Sequence, residues 1–105
     1  VRKEVLGMIR WWLEKGVDGF RMDVINFISK EPGLPDGTVK HDGEFQSGME
    51  HFACGPRLHE WLSDIAAVLK EYDTFSVGEM PGVYDLNEII KAVGWDRKEL
   101  AMVFQ

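Results

Sequence analysis

Apolar residues recur at helical spacing through the first fifteen positions, where Val1, Val5, Met8, Ile9, Trp12 and Leu13 form one stripe and Gly16 follows as a stop. The spacing predicts a helix over residues 1 to 15. Val17 to Val24 then turns to alternating apolar positions, which predicts a short strand with Arg21 and Asp23 two apart and so on one face. Residues 29 to 55 carry many glycines, with Pro32 and Pro35, and no clean period; they read as a long loop. Pro56 suits the first position of a helix whose face is marked by Leu58, Leu62, Ile65, Leu69 and Tyr72. Thr74 to Glu79 supplies a second strand, and Pro81-Gly82 a turn. Asp85 and Glu88 have the spacing of a capping box before a short helix ending near Gly94, and Leu100 to Phe104 is a third strand.

The alternation of helix and strand is the signature of consecutive right-handed βαβ units and a parallel sheet. Periodicity leaves both a barrel segment and an open doubly wound sheet possible, but no Gly-x-Gly-x-x-Gly turn follows either strand, which counts against dinucleotide binding. The chain has 105 residues, against roughly 250 for a complete (β/α)8 barrel. It opens on Val1 inside an apolar stripe and closes on Val103-Phe104-Gln105 inside a strand, so it is expected to be part of a longer protein, with no complete domain boundary in residues 1–105. Three strands with open edges would then predict association of the isolated piece.

Asp23 and Glu79 change this picture most, because each is expected to end a strand at the same edge of the sheet, where α/β barrels keep their active sites. Two carboxyl groups about 5–5.5 Å apart suit retaining glycoside hydrolysis, one as nucleophile and the other as general acid and then base. Arg21 would keep Asp23 ionised, whereas the acid needs a raised pKa from partial burial and a negative neighbour. The same residues also fit a structural ion pair and a solvated strand-end acid, and spacing leaves both readings open.

Net charge is −6, from 12 Lys and Arg against 18 Asp and Glu, with no basic stripe for nucleic acid. No apolar run approaches the roughly 18 residues of a membrane span. The single Cys54 has no internal disulfide partner and no zinc-like spacing with His41, His51 or His59, which points to a reducing, cytoplasmic setting. The three histidines read as solvated residues and Cys54 as a packing residue. Trp12 falls on the buried stripe and Trp61 near one, so packing is the better reading of the tryptophans, Trp11 and Trp95 included. Asp18 should sit at the opposite sheet edge, and Phe27 and Phe45 are candidate pocket walls.

Gly16-Val17-Asp18-Gly19-Phe20-Arg21-Met22-Asp23-Val24-Ile25 and Val77-Gly78-Glu79-Met80 resemble the second and third signature regions of glycoside hydrolase family 13, the α-amylase family. Ile28-Ser29-Lys30, Gly33-Leu34-Pro35-Asp36 and Gly55-Pro56-Arg57-Leu58-His59-Glu60 narrow the resemblance to its α-glucosidase and oligo-1,6-glucosidase branch, over the whole chain. The resemblance implies a segment of a (β/α)8 barrel with about three strands and three helices, including the fourth and fifth barrel strands. It further implies Asp23 as nucleophile, Glu79 as acid/base, Arg21 holding the nucleophile, and Val24 lining the substrate site with a preference for α-1,6 linkages. The substrate would be a small oligosaccharide or α-glucoside, with no cofactor and no metal on this segment. The family's first-region Asp and His and fourth-region His and Asp are not among these residues, so the segment is expected to be inactive without the remainder of the barrel. The competing enzyme readings are maltase, dextran glucosidase and trehalose-6-phosphate hydrolase. The competing non-catalytic reading is an amylase-like structural domain, and the presence of both carboxylates counts against it.

Overall fold

A computed structural model describes residues 1–105. Helix α1 (Arg2–Glu14) leads to strand β1 (Gly19–Met22), and helix α2 (Leu58–Glu71) to β2 (Phe75–Glu79); helix α3 (Leu86–Val93) precedes β3 (Met102–Phe104). The three strands are parallel in the order β1-β2-β3, with Arg21 beside Val77 and Glu79 beside Phe104. The parallel α/β arrangement is the one the alternating pattern predicts.

Helix α1 ends in a Schellman turn. Gly16 at φ +93° lets its N–H reach Leu13 O at 2.9 Å while the Val17 N–H reaches Trp12 O at 3.3 Å. The stripe on α1 is only partly covered: Ile9 and Leu13 are buried, whereas Val5, Met8 and Trp12 are exposed. Trp12 is thus a correction to the expected buried stripe, because no element of this chain lies over that side of α1. The side facing α2 carries Ile9 and Leu13, flanked by ion pairs of Arg2 with Glu60 and Asp64 and of Arg10 with Glu71. The Glu60 carboxyl is held down to about 2, first by its hydrogen bond from Arg57 and then by that from Arg2.

Helix α2 supplies the centre of the core. Leu58, Leu62, Ile65, Val68 and Leu69 are buried against Ile9, Leu13, Ile25, Met80, Ala92 and Leu100. Pro56 lies before the helix rather than at its first position, and the Leu58 N–H closes a turn onto Gly55 O at 3.0 Å. The capping box on α3 forms by half: Asp85 accepts from the Asn87 N–H at 2.9 Å, but the Glu88 carboxylate turns away to His59 at 3.0 Å. The long loop contains one 3-10 turn, Met49–His51.

Alternation along the strands gives the sheet two unlike faces. Phe20, Met22, Ser76, Gly78 and Val103 turn towards the helices, where Ser76 and Gly78 are buried and the Ser76 hydroxyl accepts from the Ala101 N–H at 3.0 Å. Arg21, Phe75, Val77, Glu79, Met102 and Phe104 share the other face, and on it Phe75, Met102 and Phe104 are exposed. The carboxylates therefore stand on the open side of the sheet, at its C-terminal edge.

Candidate active site

Glu79 is the last residue of β2, as the pattern predicts. Asp23 lies one residue beyond β1 rather than at its end, because Val24 adopts φ 38° and ψ 44° and stops the pairing. A β-branched side chain in the left-handed region is a true backbone outlier, the kind of strain found where surrounding structure fixes a functional loop. The strain has a local consequence: the Val24 N–H donates to Glu79 Oε2 at 3.3 Å.

Arg21 ties the two acids together. Its Nη1 donates to Asp23 and its Nη2 donates to Glu79 Oε2 at 2.8 Å, so one planar guanidinium spans both strand ends. A fork of fixed donors sets orientation as well as charge. The Asp23 carboxyl is held below the usual range first by the hydrogen bond from Arg21, then by one with the Glu79 carboxyl, then by the Arg21 charge. A carboxylate so held is ionised at neutral pH and free to act as a nucleophile or a charge stabiliser. Asp23 is also the more accessible acid, with 71% of its side chain exposed against 25% for Glu79.

Two further residues belong to this constellation. The Phe104 ring centroid lies 5.5 Å from the Arg21 guanidinium carbon, on the strand position beside Glu79. The parallel register could have located it, but only with β3 correctly bounded. Asn26, three residues after Asp23, is wholly buried and donates from Nδ2 to Pro81 O at 2.9 Å. A lone amide inside Val24-Ile25-Asn26-Phe27-Ile28 was the available signal.

The other candidates lie elsewhere. Asp18 sits at the opposite edge, where its carbonyl accepts from the Phe75 N–H at 3.2 Å. His59 is not a solvated surface residue: it lies on the helix side between Glu99 at 2.6 Å and Glu88 at 3.0 Å, and packing of α2 against the α3–β3 connection encloses it. His51 is raised above its ordinary pKa, chiefly by its hydrogen bond with Glu31 on the long loop. Burial pushes the Cys54 thiol up, so it packs rather than reacts. Phe27 packs edge-on to Phe52 at 5.0 Å between centroids, and Phe45 is fully exposed at the loop surface. The apolar cavity of about 570 Å³ between α1 and α2 is lined by residues such as Val5, Ile28 and Trp61 and does not include the two acids. No three His, Cys, Asp or Glu side chains converge as a metal ion would require. No helix is long and apolar enough to cross a membrane.

Residues 1–105 match the family described as alpha amylase, catalytic domain. The chain is 52% identical to an alpha-glucosidase of Schizosaccharomyces pombe, covering 100% of this chain and 18% of that protein. It is 53% identical to an oligo-1,6-glucosidase of Bacillus cereus, covering 100% of this chain and 19% of that protein. Its fold superposes on the crystal structure of a trehalose-6-phosphate hydrolase of Bacillus licheniformis with a TM-score of 0.84 at 40% identity, covering 100% of this chain and 18% of the other. The chain thus spans about a fifth of the length of the curated relatives it matches.

Proposed function

The chain belongs to the α-amylase family, as a segment of its catalytic (β/α)8 barrel, and on that premise we propose that the protein is a retaining α-glucosidase with Asp23 as nucleophile and Glu79 as acid/base. The observation that carries the reading is the single Arg21 guanidinium donating to both acids at neighbouring parallel strand ends. In the first step an Asp23 oxygen attacks the anomeric carbon, the bond from that carbon to the bridging oxygen breaks, and the Glu79 proton passes to that oxygen as the aglycone leaves. In the second, Glu79 takes a proton from water, whose oxygen attacks the same carbon and releases Asp23 as a carboxylate. Arg21 holds Asp23 ionised and turned towards the sugar.

β1 and β2 correspond to the fourth and fifth strands of the barrel, and the remaining strands would supply the other sugar-binding groups, so this segment alone has no activity. Val24 follows the nucleophile directly and lines the subsite beside the scissile bond, which favours α-1,6 linkages. A relative named oligo-1,6-glucosidase supports that choice, and one named trehalose-6-phosphate hydrolase supports a phosphorylated disaccharide as the second reading. The lone Cys54 favours a reducing compartment, and we place the protein in the cytoplasm.

Hydrolysis of 4-nitrophenyl α-glucoside, isomaltose, maltose and trehalose 6-phosphate by the full-length protein tests both levels. Asp23→Asn and Glu79→Gln should each lower kcat/KM on isomaltose by at least about 10²-fold to 10⁴-fold, with isomaltose the preferred natural substrate of the wild type. Full activity in either variant would return the two acids to a structural role. Preference for maltose or trehalose 6-phosphate would leave the mechanism standing and remove the linkage assignment.

A further inference from the structure

We infer that Asn26 is a positioning residue that holds the Glu79 carboxyl where it can protonate the leaving oxygen, an inference that rests on the acid/base reading of Glu79. Its side chain is wholly buried, and its Nδ2 donates to Pro81 O at 2.9 Å. Asn26 lies three residues past Asp23 and Pro81 two residues past Glu79, so one amide joins the two loops that leave the carboxylate-bearing strand ends. No other side chain makes a hydrogen bond between these two loops beyond the acids themselves.

The near side of this tether is itself anchored. The Asn26 carbonyl accepts from the Cys54 N–H at 2.9 Å, and the buried Ser29 hydroxyl accepts from the Arg57 N–H at 2.9 Å. Gly55 approaches so closely that a Cβ there would stand 2.0 Å from Ser29 O. The turn after Asp23 is therefore fastened to the start of α2, while its first residue, Val24, is kept in the left-handed region with its N–H on Glu79. Release of the tether frees the loops on either side of the carboxylate: Val24, one of the two groups donating to Glu79, can relax to an ordinary backbone conformation, and Pro81 can drift from the Asp23 loop. Arg21 alone is then left to hold the carboxyl, while Met80 stays fixed by its N–H on Phe104 O at 2.8 Å. An apolar side chain of similar size would fill the space and leave no unpaired Oδ1, but would strip Pro81 O of its donor. The amide is suited to joining the loops rather than to packing alone.

Asn26→Asp keeps the shape and replaces the donor with an acceptor facing Pro81 O; Asn26→Ser shortens the side chain out of reach. Both are measured in the full-length protein, with active sites counted by burst titration, as kcat/KM for isomaltose and for α-glucosyl fluoride. Isomaltose releases a sugar hydroxyl that needs the Glu79 proton, whereas fluoride departs without one. Displacing the acid should lower kcat/KM on isomaltose by about 10²-fold and on α-glucosyl fluoride by less than about threefold, a split that a loss of folded protein would not produce. Equal losses on the two substrates, no loss on either, or failure of both variants to fold would overturn the tether. Glu79→Gln run alongside separates the levels. A leaving-group split in Glu79→Gln without one at Asn26 removes the tether alone; absence of the split in Glu79→Gln removes the acid role of Glu79, and the tether with it.

Discussion

Replacing Arg21 separates charge from geometry at the paired acids. Its guanidinium donates from different nitrogens to Asp23 and Glu79, and it provides the largest influence holding the Asp23 carboxyl below its ordinary range. With 48% of the side chain exposed, its contribution to folding stability is screened and small. Its contribution to activity is a pair of preorganised donors, and loss of such donors costs about 10²-fold to 10³-fold. The sign on the pH axis follows from the depressed pKa: kcat/KM falls as pH drops through the Asp23 pKa, so removing the depressing group moves that acid limb to higher pH, towards or beyond about 3.9. Arg21→Met should show both effects. Arg21→Lys returns a charge that serves one acid at a time, so its acid limb stays near the wild type while kcat/KM on isomaltose remains about 10-fold to 10²-fold low. pH profiles of kcat/KM from about pH 3.5 to 8 for the three proteins decide the matter. An unmoved acid limb in Arg21→Met would refute the claim that the guanidinium sets the Asp23 charge, and an unchanged rate would refute its orienting role.

Gly19→Ala should destabilise the fold by about 1–3 kcal/mol, because a Cβ there would stand 2.2 Å from the backbone oxygen of Phe75 across the β1–β2 pair; Gly7→Ala, with open space around it on α1, should instead stabilise by about 0.5–1 kcal/mol. Thermal melting of the full-length variants reads both, and an unchanged midpoint for Gly19→Ala would contradict the strand register. Glu99→Ala strips the acceptor from His59, Ser63 and Arg97 on the helix side. It should cost about 2–3 kcal/mol, with kcat/KM on isomaltose unchanged; a wild-type melting midpoint would show that the buried cluster contributes nothing to stability.

Where a periodic stripe meets a partner within the chain, the pattern predicts burial correctly. Leu58, Leu62, Ile65 and Leu69 repeat at helical spacing and form the core because the sheet and α3 cover them. The stripe on α1 has the same period, but no element of this chain covers Val5, Met8 or Trp12, and periodicity carries no information about what lies opposite. Of the site, the residue types and the shared face of Arg21 and Asp23 follow from period two, and the placement of Glu79 from the parallel order of the strands. The backbone of Val24 was hidden because a β-branched residue gives no local sign of a left-handed conformation. His59 and Asn26 were hidden for a related reason: their partners, Glu99, Glu88 and Pro81, are 40, 29 and 55 residues away in sequence, so only the fold brings them together.

The retaining mechanism proposed for this protein rests on a covalent bond between Asp23 and the sugar. Incubating the full-length protein with 5-fluoro-α-glucosyl fluoride, which slows the second step more than the first, and mapping the labelled peptide by mass spectrometry tests it directly. One fluoroglucosyl group is expected on the peptide containing Asp23, and none in Asp23→Asn. A label on a different carboxylate, or a wild type that turns over substrate yet never accumulates a label while Asp23→Asn stays active, would contradict it.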